Sequence, residues 1–161
     1  MSDMVPARCR ILVGIDGSEC AQQALRWAAR EARLRDAVLD VVHVAGEYLL
    51  GTGSSLSPAA DWEQSAAAGN RILETFAEIA RREGATVEAR VEHGRPEHVL
   101  VRLSRGADLL VLGSSGHTPL LGMLLGSVAQ HCTRHAHCPV LVVPSHVPAV
   151  PSGADDAAPL D

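Results

Sequence analysis

Apolar and polar positions change period several times along the chain, and each change marks an element. Arg10-Ile-Leu-Val-Gly-Ile-Asp16 is a short apolar run, the pattern of a strand buried on both faces. Asp16-Gly17-Ser18 ends it with a turn signal, and Ser18 is a ready N-cap. Ala21, Ala24, Leu25, Ala28, Ala29 and Ala32 then recur at helical spacing, with Arg26, Arg30, Arg33 and Arg35 off the stripe, so an amphipathic helix is expected. Asp36 supplies a break before a second apolar strand at Val38–Val44. Residues 46–58, rich in glycine and serine and carrying Tyr48, Leu49 and Leu50, read as a surface loop or flap. Gly69, Ile72, Leu73, Phe76 and Ala80 mark the inner face of a helix from about Ala60 to Glu83, capped by Gly84.

The period switches to two over Thr86–Glu92, where Val87, Ala89 and Val91 alternate with Glu88, Arg90 and Glu92, as on a sheet edge with one wet face. Gly94-Arg95-Pro96 opens a short helix whose Val99, Leu100 and Leu103 point inward. Asp108–Leu112 is a fourth strand. After a glycine-rich stretch, Ser127 stands as N-cap of a helix on which Val128, Cys132 and Ala136 repeat, and Pro139–Val143 is a last strand. A flexible lead at 1–9 and a disordered tail at 145–161, rich in proline, alanine and aspartate, flank one domain at 10–144. The order βαβαβαβαβ is that of an α/β protein with a single doubly wound five-stranded parallel sheet and four helices. With the strand order 3-2-1-4-5, the carboxyl ends of strands one and four are neighbours at the switch point, where such sheets bind ligands.

Composition narrows the function classes. A content of 47% hydrophobic but only 2% aromatic residues requires an aliphatic core, which suits helices layered on a sheet. The net charge of −5 and the absence of lysine argue against a nucleic-acid partner, because phosphate-backbone binding needs a clustered basic surface. Cys9, Cys20, Cys132 and Cys138 form no CxxC pair, and nothing at the N-terminus reads as a signal peptide, so a reduced, cytoplasmic protein is expected. No apolar run approaches the roughly 20 residues of a membrane span.

The chemistry concentrates at Gly113–Ser127. Glycines allow close backbone approach, hydroxyls flank them, and a helix N-terminus follows, which together describe a phosphate site or, on local chemistry alone, an ordinary surface loop. Gly113, two residues, Gly116, nine residues, Gly126 and Ser127 is a more demanding spacing. It resembles the nucleotide-binding signature of the universal stress protein family, as do Ile11–Ser18, Val41–Val44 and His135–Val143. The resemblance covers about residues 10–144 and implies an adenine nucleotide alpha hydrolase-like fold with ATP, and Mg²⁺ as its companion, in the crevice. By that likeness Asp16 reaches the ribose, and main-chain groups near Gly14, Ile15 and Val44 hold the adenine. Gly113, Ser114 and Gly116 wrap the ribose and phosphates, and Gly126, Ser127 and Val128 receive the phosphate tail. The family also implies a homodimer through the last strand, 139–143. One position departs: Ala129 stands where members often carry a hydroxyl, a loss of about 0.5–1.5 kcal/mol if that hydrogen bond is missing.

Other readings remain beside these. Asp16 also suits a turn or capping residue, and Ser114 and Ser115 suit solvent. His131 and His135 share a helix face near Cys132, His137 and Cys138, but a metal site is the weaker reading because a cysteine before a buried strand usually belongs to the core. His43, within a buried strand, reads as a satisfied core histidine, and His93 and His98 carry no assigned role. Phosphoryl transfer lacks a lysine and a Walker pattern, so a binding module is favoured over an enzyme. The alternatives are a slow ATPase or self-phosphorylating protein using Ser114, Ser115 or Ser127, and a cyclic AMP-binding member of the family.

Overall fold

The computed structural model describes residues 8–46, 58–116 and 125–145, without the side chains of 58–62. Residues 47–57 of the flap expected at 46–58, the centre of the glycine stretch at 117–124, and most of the lead and tail lie outside the described residues. In chain order the elements are β1 (Arg10–Ile15), α1 (Glu19–Leu34), β2 (Val38–Ala45), α2 (Pro58–Arg82), β3 (Thr86–His93), α3 (Pro96–Leu103), a 3-10 turn η1 (Ser104–Gly106), β4 (Leu109–Gly113), α4 (Ser127–His135) and β5 (Val140–Val143). The five strands form one parallel sheet in the order β3-β2-β1-β4-β5.

Strand alternation decides which helices lie on which face. Ile11, Val13, Leu39, Val41 and Val111 point to one side and pack against the alanine stripe of α1 and against Leu73, Phe76 and Ala80 of α2. Leu12, Val42, Leu110 and Leu112 point to the other, where Leu100 of α3 and Cys132 of α4 cover them. Small alanines let α1 lie close on the sheet, and every residue of its predicted stripe is buried. Ser18 caps α1, its hydroxyl accepting the Ala21 amide at 3.2 Å. The edge position of β3 explains its alternating sequence.

Two expectations shift. The N-cap of α4 is Gly126, whose carbonyl accepts the first helical bond from Gln130 (3.0 Å), so Ser127 is the first helical residue rather than the cap. Because glycine offers no side-chain acceptor, the opening amides of that helix have no side-chain cap among the described residues. Gly113, expected as the first loop residue, is the last residue of β4, paired with Val143. A further feature had no sequence signal: Asp40 on β2 is 2% exposed, held by Arg10 (3.3 Å) and Arg90 (2.8 Å), on the side of the sheet shared with Leu12 and Val42.

Candidate functional site

The carboxyl ends of β1, β2 and β4 open into a crevice of about 320 Å³, at the lower end of the range for small-molecule sites. Gly14 lies at its floor because a Cβ there would come within 2.9 Å of Leu100 Cδ1 and Leu112 Cδ2. Beyond Ile15 the chain turns through Asp16 and Gly17. Gly17 has φ +83, and a Cβ on it would approach Ile72 of α2 to 3.2 Å, so both backbone and packing demand glycine. Asp16 Oδ1 accepts the Ser18 amide at 2.9 Å, which is the turn role; its other oxygen lies toward Gly116, and the residue lines the crevice.

The second wall comes from the segment after β4. A Cβ on Gly113 would lie 2.8 Å from Cys20 Sγ, so glycine lets this strand end press on the first turn of α1. The Ser114 amide donates to Val143 O (2.9 Å), and its carbonyl accepts from the Gly126 amide (2.7 Å). That last bond draws the two ends of the glycine stretch together and sets the start of α4 beside Gly116. The amides of Ser127, Val128 and Ala129 precede the first helical bond and make no hydrogen bond among the described residues. Three uncapped amides at a helix N-terminus favour an anion. The Gly126 amide is engaged by the Ser114 carbonyl and so is not among these open donors.

The two walls meet at one contact. A Cβ on Gly116 would lie 2.7 Å from Asp16 Oδ2. Residues 100 positions apart in the chain thus bring a carboxylate and bare backbone side by side. All ten residues singled out in the sequence line this crevice: Gly14, Ile15, Asp16 and Val44 on one side, and Gly113, Ser114, Gly116, Gly126, Ser127 and Val128 on the other. Val42, Pro96, Leu100, Leu112 and Ala129 line it as well. Leu100 was legible as an inward residue of its helix, but only the topology turns that position toward the crevice.

Residues 8–144 match the universal stress protein family. The chain belongs to this family. A universal stress protein of Mycobacterium tuberculosis is 33% identical over 150 residues, 83% of this chain and 47% of the relative. YxiE of Bacillus subtilis, a universal stress protein, is 32% identical over 144 residues, 83% of this chain and 97% of its own. The chain therefore spans about half the length of the mycobacterial relative. Among solved structures, UspA from Lactobacillus plantarum superposes with a TM-score of 0.71 at 25% identity, covering 86% of this chain and 99% of that one. A universal stress protein in complex with cAMP gives 0.68 at 29%, covering 88% and 100%. One from Archaeoglobus fulgidus in complex with dAMP gives 0.64 at 27%, covering 84% and 97%.

The remaining sequence candidates lie elsewhere. His43 Nδ1 is 3.1 Å from the Ile15 carbonyl, and its ring packs on Gly69 of α2, so it has a structural partner. Burial pushes the Cys132 thiol, in the core under α4, up to about 11, and raises that of the partly buried Cys138 packed against the same cluster. Among the described residues no three His, Cys, Asp or Glu side chains are grouped as a metal site, and no helix is long and apolar enough to cross a membrane.

Proposed function

We propose that the crevice binds an adenine nucleotide, ATP with Mg²⁺ foremost, and that residues 10–144 act as a nucleotide-dependent stress-response module in the cytoplasm. The observation that carries this reading is the Asp16–Gly116 contact: a carboxylate suited to ribose hydroxyls sits against a backbone stretch that leads to three open amides suited to phosphates. The complexes of related proteins with cAMP and dAMP support the same ligand class. In this reading Asp16 takes the ribose and Val44 and Ile15 flank the base. Gly113, Ser114 and Gly116 border the sugar and first phosphate, and Ser127 and Val128 donate to the phosphate tail. Two copies pair through the exposed edge of β5.

A cyclic or simple nucleoside monophosphate is the second reading, favoured by Ala129, whose methyl group lines the crevice beside the open amides. Thermal melts with ATP, MgATP, AMP and cyclic AMP, run with mass spectrometry of small molecules released from purified protein, test both. Ligand at about 100 times its Kd should add about 2.7 kcal/mol to stability. No shift with any adenine nucleotide would overturn the proposal, and release of ADP from bound MgATP would make the module a slow ATPase.

A further inference from the structure

A second feature lies on the outer side of α3 and α4 and shares no lining residue with the crevice. The ring of His131 on α4 lies 4.5 Å, centroid to centroid, from that of His135 one turn on, and 5.3 Å from that of His98 on α3. His98, Val101, Arg102 and Arg105 follow at i, i+3, i+4 and i+7, so they form one stripe along α3 and η1. Across from the stripe stand His131 and His137, and the groove between them holds about 390 Å³. Ser104, fully buried, fixes one end of it by accepting the His137 amide at 2.9 Å.

Charge on this face runs against that of the chain. Three imidazoles and two guanidinium groups line the groove, and no carboxylate does, in a protein of net charge −5. The acids on the packed elements are engaged: Glu92 of β3 pairs with Arg102 at 3.0 Å, and Glu97 of α3 pairs with Arg95 at 2.6 Å while also facing His98. Arg105 makes no ion pair among the described residues, and Arg134 adds a further cation on α4.

We propose that this groove binds a compact, doubly charged oxyanion, namely a phosphate group, either free or carried on a larger molecule. Guanidinium groups suit phosphate oxygens geometrically, and each imidazole adds an N–H donor. The arginines that favour an anion oppose a metal cation at the same place. An imidazole that donates to a bound oxyanion does so most strongly in its charged, doubly donating form, so the bound anion favours that form. By linkage, affinity rises as pH falls through the range in which histidines titrate.

Sulfate is the probe for that pH dependence because it keeps both negative charges where phosphate gains a proton. Histidine ring signals are followed by NMR during sulfate titration at about pH 8 and about pH 6, with backbone amides of Gly113, Gly116 and Ser127 reporting the crevice separately. The expected result is saturable movement of the His98 and His131 signals, at least about fivefold tighter at the lower pH and at least about fivefold weaker in Arg105→Gln. His131→Gln should flatten the pH dependence while Arg105 still binds. No saturable movement at either pH, or movement unchanged in both variants, overturns the proposal, whatever the crevice amides show. Phenyl phosphate against inorganic phosphate then separates the two sources: tighter binding of the ester assigns the groove to a phosphorylated ligand, tighter binding of the inorganic ion to free phosphate.

Discussion

Gly116→Ala tests the central contact at its narrowest point. Gly116 is not among the glycines with positive φ, so alanine carries no backbone penalty there, and its own exposure leaves the fold little to lose. The added methyl group would lie 2.7 Å from Asp16 Oδ2, which must retreat by about 0.7 Å to reach ordinary contact distance. Asp16 is tethered on its other oxygen by the Ser18 amide at 2.9 Å, so the retreat comes as rotation of the carboxylate away from the crevice. If Asp16 holds the ribose, a charged hydrogen bond is lost, which costs about 1.5–3 kcal/mol, or about 10- to 150-fold in Kd. Calorimetric titration with ATP and with cyclic AMP reads the ratio, and a thermal melt without ligand should stay within about 2 °C of the parent. Affinity equal to that of the parent protein for both ligands would refute the convergence of Asp16 and Gly116 on one nucleotide.

Asp40→Asn examines the buried carboxylate, whose Oδ1 makes no hydrogen bond among the described residues. Burial raises the Asp40 pKa, with Arg90 and Arg10 opposing that rise. A raised folded-state value means that its contribution to stability is full below the unfolded value, near 3.8, and is lost as pH rises through the folded value. Urea melts from about pH 4 to about pH 7 should therefore show the Asn variant gaining on the parent as pH rises; the opposite trend would mean that the two arginines outweigh burial. Ser18→Ala removes the hydroxyl that accepts the Ala21 amide and should lower unfolding free energy by about 1 kcal/mol in chemical denaturation. In β5, Val143 O and Pro139 O face β4, so the Val142 backbone faces the open edge. Val142→Pro should then leave the fold intact and convert a dimer to a monomer in analytical ultracentrifugation; a dimer that persists would place the interface elsewhere.

Much of the fold was legible because local pattern and final environment agree. The alanine stripe at 21–32 can be buried only as a helix face, and the runs at 11–15, 38–44 and 109–112 are too apolar for anything but a doubly covered sheet. Alternation at 86–92 predicted the wet edge before any neighbour was known. The ends of elements were less legible: Ser127 carries an N-cap side chain, yet the Ser114 carbonyl draws the Gly126 amide to it and moves the cap one residue back.

The crevice divides along the same line. Glycine spacing and a carboxylate after the first strand belong to the linear chain, and the nucleotide proposal starts from them. Their meeting depends on β1 and β4 pairing side by side, with Val13 opposite Val111, a long-range choice that no local segment makes. Tertiary packing also supplied what carries no local signature: the apolar floor of Val42, Leu100 and Leu112, and the burial of Asp40 between arginines from two other strands. It likewise made one groove of histidines and arginines from separate segments. Periodicity records which face of an element avoids water, whereas the identity of the facing partner emerges only when the whole sheet is assembled.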